Sequence, residues 1–110
     1  MLLSAKLKDL IINAATDKNI DLEFHLKNIC INGVKRGCSG FVVNKINGAV
    51  VYLTTETQNS CLTRNFMYRY ADNINDFKGY HNRWADTSES LAKEVCELLL
   101  VPVSKTRDMK

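Results

Sequence analysis

The sequence has few of the residues that most catalytic and metal-binding signatures require. It contains two histidines, His25 and His81, one proline and five scattered glycines. A hydrolytic triad needs a nucleophile, a base and an orienting group brought together, and two histidines leave few ways to build one. There is no Gly-x-Gly-x-x-Gly and no phosphate loop, which argues against a nucleotide-hydrolysing enzyme. The four cysteines, Cys30, Cys38, Cys61 and Cys96, form no Cys-x-x-Cys pair. Zinc sites usually draw two ligands from one tight turn, so no metal and no cofactor are expected. The cysteines read instead as small buried apolar residues in a reducing compartment.

Long apolar runs are also missing. Nothing approaches the ~20 residues of a membrane-spanning helix, so no membrane partner is expected. The N-terminal stretch lacks a signal peptide's cationic flank and uninterrupted apolar segment, and the expected location is cytoplasmic. The net charge of +3 is mild, whereas dedicated nucleic-acid domains are often more basic. With 110 residues and ordinary hydrophobic content, the chain suits a single domain over residues 1–103 with a short polar tail at 104–110. The Asn- and Lys-rich composition is compatible with a bacterial or phage accessory protein.

Hydrophobic periodicity supplies the elements. Leu3, Leu7, Leu10, Ile11 and Ala14 recur at three- and four-residue intervals, predicting a helix over 2–16 that Ser4 could cap in a shorter version. Ile20, Leu22, Phe24 and Leu26 alternate with Asp21, Glu23 and His25, the period of a strand with one buried face. Ile29-Cys30-Ile31 continues or pairs with it, and Asn32-Gly33 signals a turn. Lys35 to Gly40 reads as a basic loop. Asn47-Gly48 suits a type I′ turn, which would set Val42 opposite Leu53, Asn44 opposite Val51 and Val43 opposite Tyr52. A further strand is expected over 63–71, and a loop or helical turn up to Trp84. Asp86, with Glu89 three residues on, is the expected N-cap of a second helix. Leu91, Ala92, Val95, Cys96, Leu98 and Leu99 form its apolar stripe, and Pro102 stops it. The fold class is therefore α+β: an antiparallel sheet of four or five strands flanked by an N-terminal and a C-terminal helix.

Six of the nine aromatic residues fall between Phe66 and Trp84, interleaved with cations. Such rings suit base stacking or anchoring a partner protein. The candidate binding residues are Arg64, Tyr68, Arg69, Tyr70, Lys78, Tyr80, His81, Arg83 and Trp84. Trp84 itself, two residues before Asp86, is expected to pack over the start of the final helix near Leu91. A second apolar face at Phe41, Val43, Val50 and Tyr52 exceeds what a sheet wetted on one side needs, and is a candidate homodimer face unless the chain covers it. His25, among Asp21 and Glu23, reads as a solvated histidine. Alternating Asp72-Asn73-Ile74-Asn75-Asp76 superficially matches a calcium loop, but Arg83 stands where the bidentate glutamate belongs; a turn is expected.

Three strands bearing a flanking helix at each end resemble a double-stranded-RNA-binding domain, and Ser90–Leu99 resembles that family's second helix. That family places basic residues where this chain has Thr87-Ser88-Glu89-Ser90. A glutamate at a helix start that should meet phosphate opposes the carry-over. The expected function is a small non-enzymatic interaction module acting on a protein partner or on a second copy, with nucleic-acid binding through 64–84 as the alternative.

Overall fold

A computed structural model describes residues 3–31, 33–58, 61–76 and 83–101. Helix α1 (Leu3–Ala14) is followed by strands β1 (Leu22–Ile31), β2 (Val34–Asn44), β3 (Val50–Gln58), β4 (Cys61–Ala71) and β5 (Arg83–Ala85), then helix α2 (Ser88–Leu99). The five strands form one antiparallel sheet in sequential order. The protein is thus α+β, with a helix at each end of a meander.

Both helices lie on one face of the sheet. Leu7 and Ile11 of α1 and Leu91, Val95 and Leu99 of α2 bury against Val42, Val51, Leu53, Phe66 and Tyr68 in a single core. Leu22, Phe24 and Leu26 of β1 pack on its margin. The period-two pattern explains this, since alternate side chains of each strand must share a face. The helices touch directly: the Cys96 thiol donates to the Ile11 carbonyl at 3.6 Å.

The β2–β3 hairpin has the expected faces but not the expected register. Val42 stands opposite Val51 and Val43 opposite Val50, two residues away from the pairing a two-residue loop would give. Asn44 is the cause. Its Oδ1 accepts from the Ile46 amide at 3.1 Å, and its carbonyl accepts from Gly48 N–H at 2.8 Å, closing a wider turn. Gly48 supplies the left-handed residue, at φ 79°. An even shift leaves every side chain on its original face.

Asn44 also ties distant segments together. It is 1% exposed; its Nδ2 donates to the Leu99 carbonyl at 2.9 Å, and its Oδ1 accepts from the Asp21 amide at 3.0 Å. Asn47 Nδ2 donates to the same Leu99 carbonyl at 3.0 Å. Two side-chain amides from the turn therefore satisfy the end of α2, where carbonyls lack helical partners.

Other expectations are corrected. Residues 35–40 are not a loop but part of β2, because β1 continues through Ile31 and pairs with them. Gly40, at φ 148°, lies so close to β1 that a Cβ there would run into the His25 carbonyl oxygen. Ser4 lies within α1 rather than capping it. Thr87, not Asp86, caps α2: its hydroxyl accepts from the Ser90 amide at 3.0 Å. Of the segment expected as a loop or helical turn up to Trp84, residues 77–82 lie outside the described residues, and its end belongs to a short strand at 83–85. Pro102 and the 104–110 tail lie outside the described residues.

Candidate functional site

The face of the sheet away from the helices carries the candidate site. The pairing register arranges its side chains in rows that run across the strands. One row holds Glu23, Val43, Val50 and Ala71; the next holds His25, Phe41, Tyr52 and Arg69. The third holds Lys27, Ser39, Thr54, Met67 and Trp84.

Inside the β1 edge, where Glu23 and His25 are exposed, the first two rows are largely covered by the chain itself. Phe41, Val50 and Ala71 are buried and form a second, smaller core, with Val43 and Tyr52 half-buried around it. The Phe41 and Tyr52 rings lie 4.8 Å apart, tilted by 35°. After β4 the chain turns back over this surface, and Arg69 fastens it. Its Nη1 meets Asp76 Oδ2 at 3.3 Å and its Nη2 donates to the Asp76 carbonyl at 2.7 Å. Arg69 also stacks on Tyr52, 4.9 Å from the ring centre, and is 6% exposed. Within the turn, Asp76 Oδ2 accepts from the Asp72 amide and Asn73 Oδ1 from the Asn75 amide, so these polar groups serve the turn itself. The expected open face at Phe41, Val43, Val50 and Tyr52 is therefore corrected: Phe41 and Val50 are interior residues.

The third row differs. Lys27 and Trp84 are exposed, and Ser39, Thr54 and Met67 are half-buried. Trp84, opposite Met67 in β5, is 56% exposed and points away from the helices. It does not pack near Leu91, because strand pairing fixes Arg83 and Ala85 on the helix side and turns Trp84 outward. Beside this row, between β1–β2 and the 72–76 loop, lies a cavity of about 230 Å³ lined by Lys27, Ser39, Phe41, Ile74 and Asn75 among others.

The sequence-predicted binding residues do not assemble on one surface. Arg69 and Trp84 share the outer face, whereas Tyr68, Tyr70 and Arg83 belong to the helix side. Tyr68 is 4% exposed. Burial chiefly raises its hydroxyl pKa, with the Glu94 carboxylate raising it further and Arg83 opposing. Arg83 lies 5.3 Å from the Tyr70 ring centre, and burial raises the Tyr70 pKa against the lowering pull of that cation. Lys78, Tyr80 and His81 lie outside the described residues, as does the side chain of Arg64. His25 Nε2 sits 2.6 Å from Glu23 Oε2 at the exposed edge.

Catalytic chemistry finds little to work with among the described residues. No three His, Cys, Asp or Glu side chains converge as metal ligands would. The buried Cys38 thiol is pushed up to about 11 by desolvation, which suppresses the nucleophilic thiolate. No helix of the described residues is long and apolar enough to cross a membrane. What sequence reasoning missed was the row itself: Lys27, Ser39 and Met67 join Trp84 only through the pairing register. Compared with known proteins, the chain matches no family model, no curated protein and no solved structure.

Proposed function

We propose that this protein is a small non-enzymatic interaction module whose contact surface is the row ending in Trp84. The observation that carries this reading is the exposure of Trp84 on a paired strand. A large ring held outward by backbone pairing loses little freedom on binding, and tryptophan is among the residues most enriched at binding hot spots. Met67 beside it extends the apolar surface, and Lys27 with Ser39 supplies a polar end.

A nucleic-acid platform built on Tyr68, Tyr70, Tyr80 and Trp84 is weaker. Tyr68 is buried, and Tyr70 and Trp84 lie on opposite sides of the sheet. The test places a photoreactive phenylalanine analogue at position 84, and at exposed Ile12 as a control, in cells that express the protein. Protein adducts formed from position 84 and not from position 12 are the expected result. Absence of protein adducts at 84 refutes the reading. A parallel titration with oligonucleotides at low salt is expected to leave Trp84 emission unchanged; salt-sensitive quenching would move the function to nucleic acid.

A further inference from the structure

Strand β1 is an edge strand without the usual protection. Among the described residues no strand pairs with its outer side. Sheet edges are normally kept from other chains by very short strands, by proline or by bulges. β5, at the other edge, has three residues. β1 has ten, none of them proline, in unbroken register with β2 from Leu22 to Ile29. Its backbone is turned outward at three apolar residues. The Asp21 carbonyl accepts from the Lys45 amide at 2.8 Å, and the Asp21 amide donates to Asn44 Oδ1, so both groups face β2. The His25 carbonyl likewise lies against Gly40 of β2. Backbone groups of an antiparallel strand alternate between its two sides. Those of Leu22, Phe24 and Leu26 therefore point to the open edge.

Side chains along this edge follow two patterns with one centre. Toward the helices stand Leu22, Phe24 and Leu26, each half-buried and symmetric about Phe24. On the outer face stand Asp21, Glu23, His25 and Lys27, all exposed, with acids before Phe24 and bases after it. Read backward, these charges give their own complement. We propose that β1 pairs antiparallel with β1 of a second copy, about a two-fold axis through Phe24 and perpendicular to the sheet. Leu22 then meets Leu26, Glu23 meets His25 and Asp21 meets Lys27, each twice, with about six backbone hydrogen bonds between the chains. Opposite charges directly across a strand pair stabilise it, and like charges oppose it. Moving the axis by one residue sets Glu23 against Glu23, or His25 against His25. The charges therefore select both a second copy and one register. This axis lays the two sheets edge to edge in one layer, so the 72–76 loops stand side by side and are not pressed together. Trp84 stays free at the far edge of each copy, and the inference is independent of its role as a contact.

Sedimentation velocity of the full chain from micromolar to submillimolar concentration, with amide hydrogen exchange over the same range, provides the test. The expected result is a monomer–dimer equilibrium in which the Leu22, Phe24 and Leu26 amides gain protection as mass rises. The Glu23 and His25 amides, already turned to β2, should change little. Asp21→Lys and Lys27→Asp each set like charges opposite one another twice in the homodimer, and each should weaken it about 10-fold. Both sites are exposed, so each variant should fold as the wild type does. Mixed in equal amounts, the two variants restore both ion pairs in a heterodimer, and dimerisation should return to near the wild-type level. Trp84→Ala should leave it unchanged. A wild-type chain that stays monomeric overturns the proposal. So does a dimer whose edge amides stay unprotected, one indifferent to both charge reversals, or one that mixing the variants fails to restore.

Discussion

On the helix side of the sheet, side chains from two helices bury Val42, Val51 and Leu53 completely. On the other side, among the described residues, the 72–76 loop lies over part of the sheet and Arg69 joins it through Asp76. Strand composition contributes, since the outer rows carry Glu23, His25, Lys27, Ser39, Thr54 and Arg69 where the helix side carries Leu22, Phe24, Leu26, Val42, Val51 and Leu53. Covering material differs too: each helix presents a stripe several turns long, whereas the 72–76 loop has Ile74 as its one apolar side chain. Exposed side chains such as Trp84 and Lys27 therefore stand on the outer face, and a large exposed ring is where a partner gains most from docking.

Removing the centre of the better-covered side should have the largest effect. Asn44→Ala strips the Asp21 and Ile46 amides and the Leu99 carbonyl of one shared partner. Buried groups left unsatisfied cost ~1–3 kcal/mol each, with water recovering part, so a loss of about 3–4 kcal/mol is expected in urea unfolding. A loss below about 1 kcal/mol would show that the turn holds without its amide.

The weaker cover is tested next. Arg69→Met keeps the apolar stem over Tyr52 but removes the guanidinium that meets the Asp76 carboxylate and carbonyl. A cost of about 2 kcal/mol is expected, in the range of hydrogen bonds to charged groups. Faster proteolysis at 72–76 should accompany it. Unaltered cleavage there would mean that something other than Arg69 holds the loop down.

Alkaline pH probes the helix side by a different route. The folded state holds Cys38 protonated up to about 11, against an ordinary value of 9.0. A raised folded pKa contributes stability that is complete below the unfolded value and lost as pH climbs through the folded one. Burial shifts Cys96 and Tyr68 in the same direction. Melting temperature should therefore hold up to about pH 9 and decline toward pH 11, with Cys38→Ala showing a shallower decline. An identical decline in that variant would remove Cys38 as a cause.

The smallest stability effect belongs to the residue with the greatest expected effect on partner binding. Trp84→Ala should change stability by no more than about 0.5 kcal/mol, measured at concentrations dilute enough to keep the chain monomeric. A loss of ~3 kcal/mol, as for emptying a core site, would show that the ring is structural after all.

Much of the fold was legible because it depends on periodicity. The stripes Leu7-Ile11 and Leu91-Val95-Leu99 and the alternation through Val42, Val51 and Leu53 reached the core as expected. Features set by pairing were not legible. Asn47-Gly48 read as a two-residue turn because Asn44, three residues earlier, gave no local sign that its side chain would widen it. Residues 35–40 read as a loop because their glycines and cations disfavour a strand, yet β1 imposes one. Trp84 was misplaced for the same reason. Three residues carry too little pattern to announce a strand, and β5 exists only because β4 offers an edge at Phe66, Met67 and Tyr68. The candidate row, built wholly from pairings, was therefore the least visible feature.

The contact between Cys96 and Ile11 spans 85 positions of sequence, and that between Asn44 and Leu99 spans 55. Contacts so distant along the chain are entropically late to form, and topologies that depend on them fold slowly. During synthesis, β3 and β4 emerge well before the helix that covers them. Until α2 arrives, Leu53, Phe66 and Tyr68 have no lid, and the nascent chain presents an apolar sheet to its surroundings. The last helix thus decides how long this protein is prone to aggregate while being made.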